Sequence, residues 1–495
     1  MTYPLKCSVF VLSAALAASA AKADISADEV WQGWVDYYAG LGQTLSAGTK
    51  TMQADTLVIS DASITGATPD GTFSASLAEI RLRETGDGRV EISMSESIPL
   101  RVIGNSASGE NVDLAMNIGQ SGLNMVVSGS ADDALYAYES DRITIAMDGM
   151  KVNDQDMPMK VDVAIAGATG SYRMATAADR RLTSDFSADR MDFSVAADSP
   201  ENGGKVVFTG GLDKVAGLSS AVIPMGVSAS DMNAMLKAGA DLSATLTYGN
   251  GGYKMDVTDQ GQSFALDATG EGGSLTFGLS AAGLNYGGEA RASQVSVQTS
   301  AFPVPVDLSL ASSAFNMAIP VSKSDLEQPF SALISLVDLS VSDGLWNMFD
   351  PGMQLPRDPA TVIIDLSGMA RLLLDIMDPA NAQALNQQPP GELTALDLKR
   401  LQVKLAGAEL TGQGALTFDN QGFVPQPLGS VDLQLVGGNG LIDKLVAMGF
   451  VPEDQAMGAR MMMGLFAVMT GDDTLTSKIE FKEGGAIFAN GQRIQ

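Results

Sequence analysis

The chain has 495 residues and is strongly acidic, with 58 aspartates and glutamates against 30 lysines and arginines and a formal charge of −28. It has no histidine, and its single cysteine, Cys7, lies inside an N-terminal export signal. Removing that signal therefore excludes Ser-His-Asp and Cys-His catalysis and any His/Cys zinc site, while the charge opposes nucleic acid and phosphate-rich lipid surfaces.

The signal is read from three features in order. Lys6 is the charged start, 9–18 is a short apolar run, and Ala21-Lys22-Ala23 is an A-x-A cleavage site that leaves Asp24 as the new N-terminus. The run is shorter than the roughly 20 residues a membrane-spanning helix needs, and Cys7 precedes it, so a lipoprotein anchor is not expected. No later stretch offers 18 uninterrupted apolar residues, so the mature chain is expected to carry no transmembrane segment. The expected location is the periplasm, with an extracellular alternative. Export without cysteine means no disulfides, so burial alone must hold the fold, and a chain this long can bury about 75% of its unfolded surface.

After a signal peptide at 1–23, a helix is expected in 24–48. Ser26-Ala27-Asp28-Glu29 has the capping-box spacing, and Val30, Trp31, Trp34, Val35, Tyr38 and Leu41 recur at helical intervals. Trp31 and Trp34 plug an end of the core or offer a partner-docking face. A main β region is expected over 49–377. There the period changes to two, as in Val161-Asp162-Val163-Ala164-Ile165, Met191-Asp192-Phe193-Ser194-Val195 and Leu275-Thr276-Phe277-Gly278-Leu279. Such runs put apolar side chains on one sheet face and polar or small ones on the other. Gly203-Gly204, Asn250-Gly251-Gly252, Gly272-Gly273, Gly287-Gly288 and Asn490-Gly491 read as hairpin turns, so large antiparallel sheets are expected. No strict repeat period is evident.

Ser342-Asp343 can cap a short helix through Trp346 and Phe349, stopped by Asp350-Pro351-Gly352. A Pro- and Gln-rich segment with Pro389-Pro390 makes 378–395 the linker candidate. A second β region is expected over 396–495, interrupted at about 440–469 by helices. Gly449 closes the first of these and Pro452 opens the second. Met457, Met461, Met462, Met463, Leu465, Phe466 and Met469 cover most of that second helix's circumference, so it is expected to be buried on several sides.

Other chemistry is scarce. There is no G-x-S-x-G elbow, no Ser-x-x-Lys pair and no Walker A loop. Paired carboxylates remain the only catalytic option, and 58 acidic residues make chance pairs abundant, while aromatics at 6% weaken the idea of a sugar cleft. Asn153-Asp154-Gln155-Asp156 clusters oxygen ligands but lacks the glycine and distal glutamate of an EF-hand, so a solvated turn is preferred to calcium binding. An outer-membrane barrel is disfavoured because no aromatic girdles are visible and the chain ends Arg493-Ile494-Gln495. No cofactor, metal site or catalytic residue is expected, and the protein is read as a non-enzyme.

Three segments carry a resemblance. They are Ala27-Asp28-Glu29-Val30-Trp31 after the leader, Asp343-Gly344-Leu345-Trp346 leading through Phe349-Asp350-Pro351-Gly352 to Leu355-Pro356-Arg357-Asp358-Pro359-Ala360, and Asp473-Thr474-Leu475-Thr476 leading to Ala489-Asn490-Gly491-Gln492-Arg493. In these the chain resembles the alphaproteobacterial family known as domain of unknown function 2125. The resemblance implies an exported envelope protein and carries no activity or site residues. In style of patterning the chain is also similar to AsmA-like envelope proteins, which are associated with lipid movement along curled sheets; that is an analogy at the level of fold.

The fold expected is mostly β: a large, elongated, twisted antiparallel sheet curled into a trough or a sandwich, with a few short helices toward the two ends. A one-faced apolar sheet must be covered by a second sheet or by curling. The preferred function is a periplasmic or envelope protein that binds lipid or another apolar ligand along the curled sheet, helped by 26 flexible methionines. The alternative is a structural or protein-interaction module of the envelope with a fully packed core, and a carboxylate hydrolase ranks last. Candidate apolar contacts for a lipid or an envelope protein are Trp31, Trp34, Trp346, Phe349, Met461, Met462, Leu465 and Phe466.

Overall fold

The computed structural model describes residues 24–68, 71–106, 109–198, 203–228, 231–302, 304–422 and 424–495; the expected signal peptide lies outside these. The described residues form one continuous antiparallel sheet of 28 strands. Neighbours in sequence are neighbours in space: strand Met159–Thr176 pairs with Asp179–Asp198, which pairs with Lys205–Pro224. Several rungs consist of two strands in line. Asp241–Tyr248 and Gly251–Asp259 both lie along Lys205–Pro224, and Gln262–Gly270 and Gly273–Ser280 both lie along Gly283–Thr299. Roughly twenty rungs at about 4.8 Å give a ribbon on the order of 90–100 Å long.

A crease runs along this ribbon. On several long rungs the apolar-face positions alternate until one point, where the interval is three: Leu77 to Ile80, Ile165 to Ala168, Ala188 to Met191, Leu212 to Val215. Pairing stops there and resumes in the same register, from Ala166↔Arg190 to Thr169↔Ser187 and from Arg190↔Asp213 to Ala188↔Val215. Each strand therefore carries one extra residue at the same level. On several rungs that residue is left-handed, as at Asp61 (φ 53°), Gly167 (φ 61°), Lys214 (φ 51°) and Asp338 (φ 55°). An inserted, unpaired residue bends a strand and increases its twist, and repeated across a sheet it produces curvature. The extra residue also restores the parity that keeps apolar side chains on one face. Ala168, Ala188 and Val215 are almost completely buried at the crease, although no helix packs there.

Six helices sit at the ends and edges: α1 Ala27–Gly40, α2 Met232–Lys237, α3 Asp343–Phe349, α4 Ala382–Leu385, α5 Gly438–Ala447 and α6 Glu453–Phe466. The capping box forms as expected, with the Ser26 hydroxyl accepting from the Glu29 amide and the Glu29 carboxylate accepting from the Ser26 amide. α1 buries Ala27, Val30 and Trp31 against Leu57, Ile59, Leu82, Val90 and Tyr136 in the largest core cluster. α2 packs on Leu279 and Val321, and α3 packs through Trp346 on Leu355 and Ala406. The 378–395 segment holds a single 3-10 turn and α4, and its flanking strands, Ala360–Leu372 and Gly391–Leu405, pair directly with each other.

Three expectations need correction. First, Asn250-Gly251-Gly252 and Gly272-Gly273 are points where a rung crosses the crease, and Gly287-Gly288 lies inside the strand Gly283–Thr299, whereas Gly203-Gly204 and Asn490-Gly491 do lie in connections between paired strands. Positive φ serves an inserted strand residue as well as a turn, so glycine alone does not distinguish them. Second, Ser342 precedes α3 but makes no side-chain cap; its hydroxyl accepts from the Asp307 amide and ties the helix to the sheet. Third, α6 buries only Ala456, while Met457, Met461, Met462 and Leu465 are exposed. α6 rests on α5 and is tied at Phe466 to the last strands, where the Phe466 carbonyl accepts from Ser477 and Asn490, and most of its methionines face solvent. The turn expected at Asn153-Asp154 is present as a two-residue hairpin loop with both residues at positive φ, joining Val152 to its partner Gln155.

Candidate functional site

The two faces of the ribbon differ in chemistry. The outer face carries ion pairs: Arg173 to Asp133 at 2.5 Å, Arg190 to Asp192 and Asp213 at 2.7 and 2.6 Å, Lys254 to Asp267 at 2.7 Å. Solvated pairs of this kind contribute little to stability; their effect is to keep that face wet. The inner face is mostly apolar. Following the register, Leu246, Leu275, Gly288, Phe315, Ile334, Ile364 and Leu401 succeed one another across seven rungs, with Ala244, Phe277, Tyr286, Met317 and Ala332 as the adjacent row.

Much of this face is open to solvent. Leu275, Phe277, Tyr286, Phe315, Met317 and Ile334 are between 39% and 53% exposed, and they are neighbours. Single exposed apolar residues are ordinary, whereas a contiguous patch marks an interaction surface.

Glycines shape the floor. Gly66, Gly210, Gly288 and Gly368 stand directly across from Phe73, Phe193, Phe315 and Phe330, whose rings lie where a β-carbon would be. At position 210 that carbon would come within 2.4 Å of the Phe193 Cζ. Aromatic side chains folded over cross-strand glycines keep the inner surface smooth and restore the packing a glycine lacks. Phe193, Phe208 and Tyr253 continue as a ladder at centroid distances of 5.1 and 5.7 Å.

At the N-terminal end the trough becomes a cavity of 530 Å³ beneath α1. Its lining comes from both sides of the crease, with Phe73 and Leu100 on one side and Ile80, Met125 and Tyr172 on the other, and Trp34, Tyr37 and Tyr38 of α1 form the roof. Tyr136 and Tyr172, cross-strand partners, stack at 4.4 Å. Burial raises the pKa of both phenols, and of Tyr38, so all three stay neutral. A hydrogen bond with the Trp34 indole partly offsets the rise at Tyr136.

The sequence-derived candidates fall into three separate groups. Trp34 lines the cavity and Trp31 is buried in the core beside it. Trp346 is buried between α3 and α5, with Phe349 at 4.9 Å on the exposed side. Met461, Met462 and Leu465 are exposed on α6, and Phe466 is half-buried at its end. The inner-face residues of the central rungs, and Tyr37, Tyr136 and Tyr172, were not singled out by sequence; the interval of three within otherwise alternating runs is the signal that would have found the crease and, with it, the face.

The fold and its surface define a single-sheet antiparallel β protein with one apolar face, hollowed into a cavity beneath α1. Residues 234–489 match the model of the bacterial family described as uncharacterized protein conserved in bacteria (DUF2125), and the chain belongs to that family. No curated protein and no solved structure matches it. Among the described residues no helix is long and apolar enough to cross a membrane.

Proposed function

We propose that the protein is a non-enzymatic envelope component that holds lipid-like apolar ligands along its creased sheet, acting in the periplasm after export. The observation that carries this reading is the contiguous, solvent-open apolar inner face centred on Leu275, Phe277, Tyr286, Phe315, Met317 and Ile334. A fully packed structural module would cover such residues, since leaving them in water forgoes about 25 cal/mol for each Å² of apolar area. An acyl chain laid along the trough would cover them, and its polar end could remain in water at the rim. The mixture of flexible methionines and flat rings suits a chain of variable shape.

Protein purified gently from its native envelope, extracted with organic solvent and examined by mass spectrometry, is expected to release a near-stoichiometric amphiphile. A clean extract from such protein overturns the reading. Crosslinking in intact cells that captures one protein partner across the inner face would favour an interaction module in its place.

A further inference from the structure

Arg180 breaks the pattern of the inner face. It alternates with Leu182, a cavity-lining residue, and its strand neighbours are Thr176 and Ile223, so it stands on the apolar side of the sheet where Asp179–Asp198 begins. The guanidinium sits over the Tyr37 ring, 5.6 Å from its centroid, and lies against the end of α1. A β-carbon at Gly40 would come within 3.3 Å of its Nη2. In a chain with almost twice as many acids as bases, this arginine is nevertheless without a carboxylate; among the described residues its guanidinium makes neither an ion pair nor a hydrogen bond. Several exposed arginines of the outer face do have such partners, at Asp113, Asp133 and Asp213. A half-buried cation on an apolar face is unfavourable unless an anion joins it, and a ring face compensates only in part.

We propose that Arg180 and Tyr37 form the headgroup seat of a site for a singly acylated anionic amphiphile, whose chain occupies the 530 Å³ cavity beneath α1. The inference rests on the trough binding apolar ligands and adds which chemistry is selected and where. The volume falls within the range of about 300–1,000 Å³ common for small-molecule sites. Tyr37 links the two parts, since it lines the cavity and carries the guanidinium on its ring. The planar guanidinium can take a carboxylate or a phosphate with two parallel hydrogen bonds. The shared chemistry is a compact anion on one acyl chain, supplied by a fatty acid or a lysophospholipid.

The test is titration of the delipidated full mature chain with palmitate, palmitoyl lysophosphatidate and cetyl alcohol, followed by Trp34 fluorescence. The wild type is expected to bind the anions at least about tenfold more tightly than the alcohol, as befits a charge-assisted pair. Arg180→Met should abolish that preference while leaving cetyl alcohol affinity unchanged, and Arg180→Lys should retain part of it. Whichever anion binds more tightly identifies carboxylate or phosphate as the source. If the wild type binds cetyl alcohol as well as it binds the anions, or if Arg180→Met keeps the preference, the headgroup seat is wrong and the apolar trough stands. If none of the three ligands binds, both readings fall.

Discussion

Single residues decide whether the inner face is flat enough to receive a ligand. At Gly288 a β-carbon would meet the Leu275 Cδ2 and the Phe315 Cε1, each at 2.8 Å, so Gly288→Ala must lift the Phe315 ring off the sheet. The expected loss is about 1–3 kcal/mol, the usual cost of forcing extra volume into a packed place, read as a lower urea midpoint at unchanged slope. An unchanged midpoint would show that the ring is already mobile. None of this was legible in the sequence. Gly287-Gly288 looks like a turn, because the residue that gives the glycine its purpose, Phe315, is on the next rung and no local pattern connects them.

Elements were easier to read than their surroundings. The alternating runs did become strands, and the α1 capping box and the stop at Gly449 are where local chemistry placed them. Periodicity reports which side chains point the same way, without reporting what they meet. α6 shows the difference: methionines all round its circumference suggested burial, yet Met461 is 71% exposed because it lies on a side of the helix turned to solvent. Met461→Lys, alone or with Met457→Lys, is therefore expected to change stability by no more than about 0.5 kcal/mol, the range for exposed sites. A helix buried on several sides would lose about 2–5 kcal/mol on truncation of a core methionine alone. Thermal melts of the two variants separate these outcomes. The crease lies between residue and element in legibility. Its signature, an interval of three inside a period of two, is present in Ile165 to Ala168 and Leu212 to Val215, but a reading of short alternating windows steps over it.

At the scale of the molecule, the missing imidazole sets how the fold responds to pH. With no histidine, no side chain of residues 24–495 has an ordinary pKa between those of the carboxylates, near 4, and those of tyrosine and lysine, about 10. The perturbed groups widen this interval. Backbone hydrogen bonds from Gln354 and Leu355 lower the pKa of Asp350 against the opposing effect of desolvation. At Asp473 desolvation acts upward, but the Gly440 and Asn439 amides, which this carboxylate caps at the start of α5, together bring the pKa below its ordinary value. A carboxylate depressed in the folded state stabilises the protein fully above its unfolded pKa, near 4, and that contribution is lost as pH falls toward the folded value. Tyr172, Tyr136 and Tyr38 behave in the opposite sense: burial raises their pKa, so their contribution is complete below about pH 10 and disappears as the unfolded chain begins to ionise above it. Unfolding free energy is thus expected to be level, within about 0.5 kcal/mol, from pH 6 to 9, to decline below about 4 and to decline again above about 10. Chemical denaturation at intervals of one pH unit checks this. A transition centred near pH 6 or 7 would require a carboxylate raised far above its usual range by burial, and would direct attention to an acid pair inside the fold in place of the apolar trough.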